Sequence, residues 1–364
     1  MTHEEIERSC TTPTRYWHLV ENGRVQCDLC PRFCQLKEGQ RGLCYVRANQ
    51  NHKIVLTTYG RSSGFCVDPI EKKPLNHFLP GSAVLSFGTA GCNLSCKFCQ
   101  NWDISKSRQM DTLADRATPQ QIAIAAQNSG CRSVAFTYND PVIFHEYAID
   151  VAQACSALNI KTVAVSAGYV CPEPRAEFYR YMDAANIDLK SFSESFYHQL
   201  TGSQLQPVLD TLVYIKNETK VWLEITTLLI PGKNDSEDEI DQMTQWISSH
   251  LGSEVPLHFS AFHPDYRMMN IERTPTKILT RAREIALKNG LKHVYTGNIV
   301  DIKGQSTYCS ECSSLIIRRD QYQITDWKLK GQGICPHCGS RCPGVFESDP
   351  GQWGSKRLPI HMNR

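Results

Sequence analysis

Within Gly91-Cys92-Asn93-Leu94-Ser95-Cys96-Lys97-Phe98-Cys99, three cysteines stand at CxxxCxxC spacing. One tight loop thus offers three thiolates, enough for three irons of a [4Fe–4S] cubane, and leaves the fourth iron open. An open iron can be chelated by the amino and carboxylate groups of S-adenosylmethionine (SAM), and a reduced cluster can then pass one electron into the sulfonium. The C–S bond breaks, releasing methionine and a 5′-deoxyadenosyl radical able to take a hydrogen atom from a substrate. Cluster potential depends on hydrogen bonds to sulfur and on solvent exposure, so such a loop must be shielded. Phe98, beside the last ligand, suits that role. A structural zinc site fits this loop poorly, because such sites use four protein ligands, commonly as paired CxxC units.

Paired units do occur near the C-terminal end. Cys309-x2-Cys312 and Cys335-x2-Cys338, 22 residues apart, form a zinc-ribbon pattern in which four thiolates would hold one tetrahedral Zn²⁺. Cys342, four residues beyond, is a spare that could replace a knuckle ligand or turn the site into a cluster. Near the other end, Cys27-x2-Cys30-x3-Cys34 and Cys44 put four thiols within 18 residues. One metal is expected there, with zinc as the first reading and an auxiliary [4Fe–4S] cluster relaying electrons as the second. The scattered Cys10, Cys66, Cys131, Cys155 and Cys171 read as small buried hydrophobes or ordinary thiols.

Composition decides which partners are sensible. The 364 residues carry 39 basic and 37 acidic side chains, a net charge of +2, which speaks against nucleic-acid binding. With 41% hydrophobic and 21% charged residues the chain can bury a large core. No apolar run approaches ~18 residues, so no membrane span is expected. The polar stretch Met1–Cys10 does not read as a signal peptide, which predicts a cytoplasmic protein whose thiols stay reduced.

These residues need elements to position them. Strands are predicted at Val84–Gly88, Ser133–Tyr138, Lys161–Ser166, Asn186–Lys190, Val221–Ile230, Pro256–Phe262 and His293–Thr296, several apolar on both faces as covered parallel strands require. Thr118-Pro119 and Thr274-Pro275 read as N-cap and first helical residue, ending near Gly130 and Gly290. Ser236 with Glu239 reads as a capping box before Ile240, Met243 and Ile247. Repeated units of this size predict a parallel α/β barrel with its chemistry at the C-terminal strand ends. The expected organisation is a Cys-rich N-terminal module over residues 1–80, a barrel over 81–304 and a zinc-ribbon-like module over 305–364.

The cysteine loop continues into Gln100-Asn101-Trp102-Asp103-Ile104-Ser105. Together with Asp68-Pro69-Ile70-Glu71-Lys72-Lys73-Pro74-Leu75, Asn186-Ile187-Asp188-Leu189-Lys190-Ser191-Phe192 and Tyr295-Thr296-Gly297-Asn298, it resembles the radical SAM member of the AmmeMemoRadiSam system. That group is similar to the activating enzymes of pyruvate formate-lyase. The resemblance implies a partial (β/α)6-type TIM-like barrel, SAM and one [4Fe–4S] cluster on Cys92, Cys96 and Cys99. It sets Thr137-Tyr138-Asn139-Asp140-Pro141 where such enzymes carry a Gly-Gly-Glu-Pro-like turn facing the SAM amino group, with Asp140 one methylene shorter than the expected glutamate. Ser166-Ala167-Gly168-Tyr169 resembles a Ser-Asn-Gly-Tyr turn near the ribose, leaving Ser166 as the polar contact. Asp188 and Lys190 match an acidic–basic pair near the SAM carboxylate.

The implied activity is hydrogen abstraction from a substrate, with a glycine in a partner protein as one target. Memo-like and AMMECR-like proteins are the implied companions, and a flavodoxin or ferredoxin the implied one-electron reductant. Radical modification of a small molecule or RNA is the alternative enzyme reading. An iron–sulfur electron carrier or metal-bound interaction module is the alternative without catalysis. Glu224, His258, His263 and Tyr266 lie near predicted strand ends, and no catalytic acid or base is assigned among them.

Overall fold

The computed structural model describes residues 11–107, 113 and 115–362, so the polar stretch Met1–Cys10 lies outside the described residues. A nine-stranded sheet organises the chain. Its strands are β1 (Phe65–Pro69), β2 (Ala83–Phe87), β3 (Ser133–Phe136), β4 (Lys161–Ser166), β5 (Ala184–Asp188), β6 (Trp222–Leu229), β7 (Leu257–Ala261), β8 (Val294–Gly297) and β9 (Leu358–Ile360). From β2 to β8 every strand pairs in parallel with its sequence neighbour. The order is β9-β1-β2-β3-β4-β5-β6-β7-β8, open at both edges. The β2 and β3 strands are buried on both faces, as helices on one side and a packed interior on the other require.

Six helices make the crossovers: α1 (Pro119–Asn128), α2 (His145–Ala157), α3 (Pro172–Arg180), α4 (Gln206–Glu218), α5 (Glu237–His250) and α6 (Thr276–Lys288). Six strand–helix units followed by a seventh parallel strand give an open, partial α/β barrel. Two helix starts differ from the sequence expectation. Ser236 does accept the Glu239 amide at 3.3 Å, but the Glu239 carboxylate turns away to the amide of Phe192 at 2.8 Å, tying α5 to the loop after β5. Thr274 is not an N-cap. Its hydroxyl donates to the Leu229 carbonyl at 2.6 Å and accepts the Phe262 amide at 3.0 Å, clamping β6 to β7, while Pro275 takes the cap position.

The flanking segments are woven into the sheet. β1 lies within the stretch assigned to the N-terminal module and β9 within the C-terminal one, yet they pair antiparallel with β2 and β1 respectively. The rest of the N-terminal segment forms two small antiparallel sheets, built from residues 12–13, 47–50 and 53–56 and from residues 17–19, 25–27 and 35–36. A three-stranded antiparallel sheet (residues 307–308, 315–320 and 323–327) carries the C-terminal cysteines.

Candidate iron–sulfur site

The Cys92–Cys99 loop leaves the C-terminal end of β2, where parallel strands expose their last residues. It is fixed from four directions. Asn139, just beyond β3, accepts the Thr89 amide at 3.2 Å and donates to the Gly91 carbonyl at 2.7 Å. Asn93 donates to the Tyr169 carbonyl beyond β4 at 3.0 Å. The amides of Ser95 and Lys97 donate to the carbonyls of Thr201 and Leu200. Arg32 of the N-terminal segment donates to the Asn93 carbonyl at 2.8 Å. Gly91 has φ +79°, and a Cβ there would run into the Cys44 carbonyl oxygen, so only glycine suits this position.

Cys96 is buried and Cys92 and Cys99 are half-buried. Phe98 is buried beside them with its ring 5.7 Å from that of Phe196. Burial pushes the Cys96 thiol up to about 12, against the opposing pull of Lys190 and Lys106. Burial likewise raises Cys92, with Lys106 opposing and Asp140 reinforcing. Thiols in this setting become thiolates when a metal centre supplies the positive charge. Donors already point at the sulfurs: the amides of Leu94 and Asp140 serve Cys92, and the Ser105 hydroxyl stands 2.9 Å from the Cys99 sulfur.

Around the loop, the ends of β3, β4 and β5 form a polar rim. The Asp140 carboxylate accepts the amides of Val142 and Ala167 at 3.0 Å each and the Ser166 hydroxyl at 3.1 and 3.2 Å. Burial raises this carboxyl to about 6 despite those donors. Ser166 in turn accepts the Gly168 amide at 3.0 Å. Asn139, Asp140 and Ser166 are thus joined to the chain's own loops, and their side chains brace the rim. Lys190 meets Asp188 at 2.7 Å. Burial opposes its charge, but Asp188 and the neighbouring Cys96 push its pKa up, so the ammonium is firmly held.

The other strand-end residues separate into distinct roles. Glu224 accepts the amides of His77 and Asn76, the Trp222 indole at 2.9 Å and His258 at 2.7 Å. That saturates it, so Glu224 and His258 form a buried structural pair. His263 is exposed. Tyr266 stacks on Trp102 at 5.8 Å and 15°. A cavity of about 520 Å³ runs from Gln100 past Thr226, Ser260, Tyr295 and Asn298.

Lys106, Ser105 and Trp102, on which Tyr266 stacks, are site neighbours that spacing did not single out. Lys106 reaches back to donate to the Leu94 carbonyl at 2.7 Å only because the short helix Trp102–Ser105 reverses the chain. No local pattern announces that reversal.

At the C-terminal sheet, Cys309 and Cys338 sulfurs are 3.5 Å apart, those of Cys312 and Cys335 3.7 Å, and all four lie within 4.8 Å of one another. Four thiolates around an ion at ~2.3 Å would stand about 3.8 Å apart, so this group fits a tetrahedral metal. Cys342 is not part of it. Its sulfur lies 3.9 Å from His77 Nδ1, in a buried group with His293.

Residues 87–246 match the model of the Radical SAM superfamily. The chain is 36% identical over 304 residues to the uncharacterized protein MJ0808 of Methanocaldococcus jannaschii, covering 84% of this chain and 90% of that protein. It is 24% identical over 196 residues to the pyruvate formate-lyase-activating enzyme of Clostridium pasteurianum, covering 50% and 81%. A radical SAM methyltransferase from Sphaerobacter thermophilus superposes with TM-score 0.48 at 13% identity, over 79% of this chain and 76% of that one. An open, partial parallel barrel with a thiol loop at its strand ends defines the class, and the chain belongs to the Radical SAM superfamily. It is distantly related to the activating enzymes of glycyl-radical proteins. No helix among the described residues is long and apolar enough to cross a membrane.

Proposed function

We propose that Cys92, Cys96 and Cys99 hold a [4Fe–4S] cluster with one open iron, and that the chain uses SAM there to abstract hydrogen from a substrate, with a glycine of a partner protein as the leading target. The observation that carries this reading is three thiols from one shielded loop, ringed by directed amides and two ammonium groups. A bound cluster, once reduced by a one-electron donor such as a flavodoxin or ferredoxin, would supply the electron that splits the sulfonium of SAM. The chain's part is to hold, orient and shield. The Leu94 and Asp140 amides and the Ser105 hydroxyl would tune the sulfurs by hydrogen bonding. Phe98 and Phe196 would exclude water. Lys190, set by Asp188, would orient the SAM carboxylate, and the Asn139–Asp140–Ser166 brace would hold the backbone edges that the amino group and ribose meet.

The cavity beside Gln100 suits a polar substrate segment, and distant likeness to an activating enzyme supports a peptide. The resemblance of four separate sequence stretches supports a place in the AmmeMemoRadiSam system beside Memo-like and AMMECR-like partners. A small-molecule target is the second reading, favoured by the volume of that cavity, about 520 Å³, which is the size of a small-molecule site. The near-neutral charge gives RNA no support. For Cys309, Cys312, Cys335 and Cys338 we propose one structural zinc, supported by sulfur spacing.

The test is reductive SAM cleavage. Protein reconstituted without oxygen, reduced and given SAM should release 5′-deoxyadenosine, and Cys96→Ala should release none above background. Equal release by both would reject the assignment.

A further inference from the structure

The four thiols of the N-terminal segment converge on one place. The Cys27 amide donates to the Cys34 carbonyl at 3.0 Å. The sulfurs of Cys44 and Cys34 flank Gly42, 3.7 and 3.8 Å from where its Cβ would stand. Cys27 and Cys30 each feel the charge of Cys34 and Cys44. Cys27 is buried, the other three are half-buried and none is exposed, whereas the C-terminal group exposes Cys312 and Cys338.

Spacing separates the two groups further. The C-terminal sulfurs crowd within 4.8 Å, as ligands of a single ion must; no three of Cys27, Cys30, Cys34 and Cys44 do so, and neither do Cys92, Cys96 and Cys99. A cubane seats its thiolates on separate irons, so its ligands stand farther apart than those around one ion.

We propose that Cys27, Cys30, Cys34 and Cys44 are the ligands of a second, fully capped [4Fe–4S] cluster seated against the Cys92 loop. The Cys44 carbonyl lies directly on Gly91, and Arg32, two residues from Cys30, holds the Asn93 carbonyl. The buried Arg47 guanidinium, paired with the Glu146 carboxylate and donating to the Ile143 carbonyl, lies close enough to Cys27 and Cys44 to tie this group to the barrel. With all four irons capped by protein, this centre exchanges single electrons and binds no SAM. The site rests on its own thiols and stands or falls separately from the Cys92 triad.

The experiment is metal analysis with Mössbauer and EPR spectroscopy of oxygen-free, reconstituted Cys92→Ala/Cys96→Ala/Cys99→Ala protein. The expected result is about four irons per chain in a [4Fe–4S] signature insensitive to SAM, against about eight in the wild type. In the complementary Cys27→Ala/Cys30→Ala protein, iron should fall from about eight to about four while the spectrum still changes on adding SAM. Triple-variant protein holding no iron and about two zinc ions would overturn the proposal, as would wild type holding only about four irons.

Discussion

At the residue scale, charge near the cysteines is what the chain itself contributes. Lys190 is a partly buried ammonium fixed by Asp188 and felt by Cys96. Lys190→Met should weaken SAM binding about tenfold or more, the worth of one charge-assisted hydrogen bond, while iron content stays unchanged. Equilibrium binding of SAM to the reconstituted protein reads this, and an unchanged Kd would remove Lys190 from the cofactor's contacts. The triad was legible in the sequence because short spacing alone brings it together, and the Asp188–Lys190 pair because the family resemblance pointed to it. The partners of Asp140 and Ser166 were not, since their mutual hydrogen bond joins residues 26 apart across two strand ends. Glu224 and His258 were left open for the same reason: only the fold shows that four donors saturate the carboxylate.

At the scale of elements, Glu224 links β6 to β7 and to the chain before β2. Removing it leaves the amides of Asn76 and His77, the Trp222 indole and His258 without their acceptor. Glu224→Ala should therefore cost about 3–5 kcal/mol in stability, measured by denaturant unfolding, without loss of the loop's cysteines as ligands. A change below about 1 kcal/mol would mean that the pair is not structural. The seven parallel strands were readable because each is a short apolar run between helix signals. The antiparallel additions were not. β1 and β9 come from cysteine-rich and irregular stretches, and their place depends on pairing between residues nearly 300 apart, such as Leu358 with Val67. Helix starts failed where a polar side chain found a better tertiary partner, as Glu239 and Thr274 did.

At the scale of the whole molecule, the C-terminal sheet is locked to the barrel through buried polar contacts. His77 Nδ1 meets the Pro343 carbonyl at 2.6 Å, its Nε2 meets the Tyr295 hydroxyl at 2.6 Å, and Arg319 donates to the Asn76 carbonyl at 2.7 Å. Burial lowers the His77 pKa from 6.5 to about 4. The unfolded chain therefore takes a proton between those values that the folded chain refuses. Stability from this group is full above pH 6.5 and falls as pH drops toward 4, by about 3 kcal/mol. Urea titrations at pH 7 and pH 4.5 should show this slope, and His77→Gln should lessen it, the neighbouring buried His293 supplying the rest; parallel slopes would assign the acid sensitivity elsewhere. Zinc at the four C-terminal thiols would add to the same lock, so a strong chelator should lower the Tm of this protein but not that of Cys309→Ser/Cys312→Ser, which should already be low. Equal chelator effects on both would deny the zinc.

The proposed chemistry depends on an iron that no protein side chain ligates. EPR of the reduced, oxygen-free protein before and after adding SAM tests it most directly. A reduced-cluster signal whose g-values and line shape shift on adding SAM is the predicted result. The same signal unaltered at saturating SAM, in protein that retains its full iron, would contradict the account.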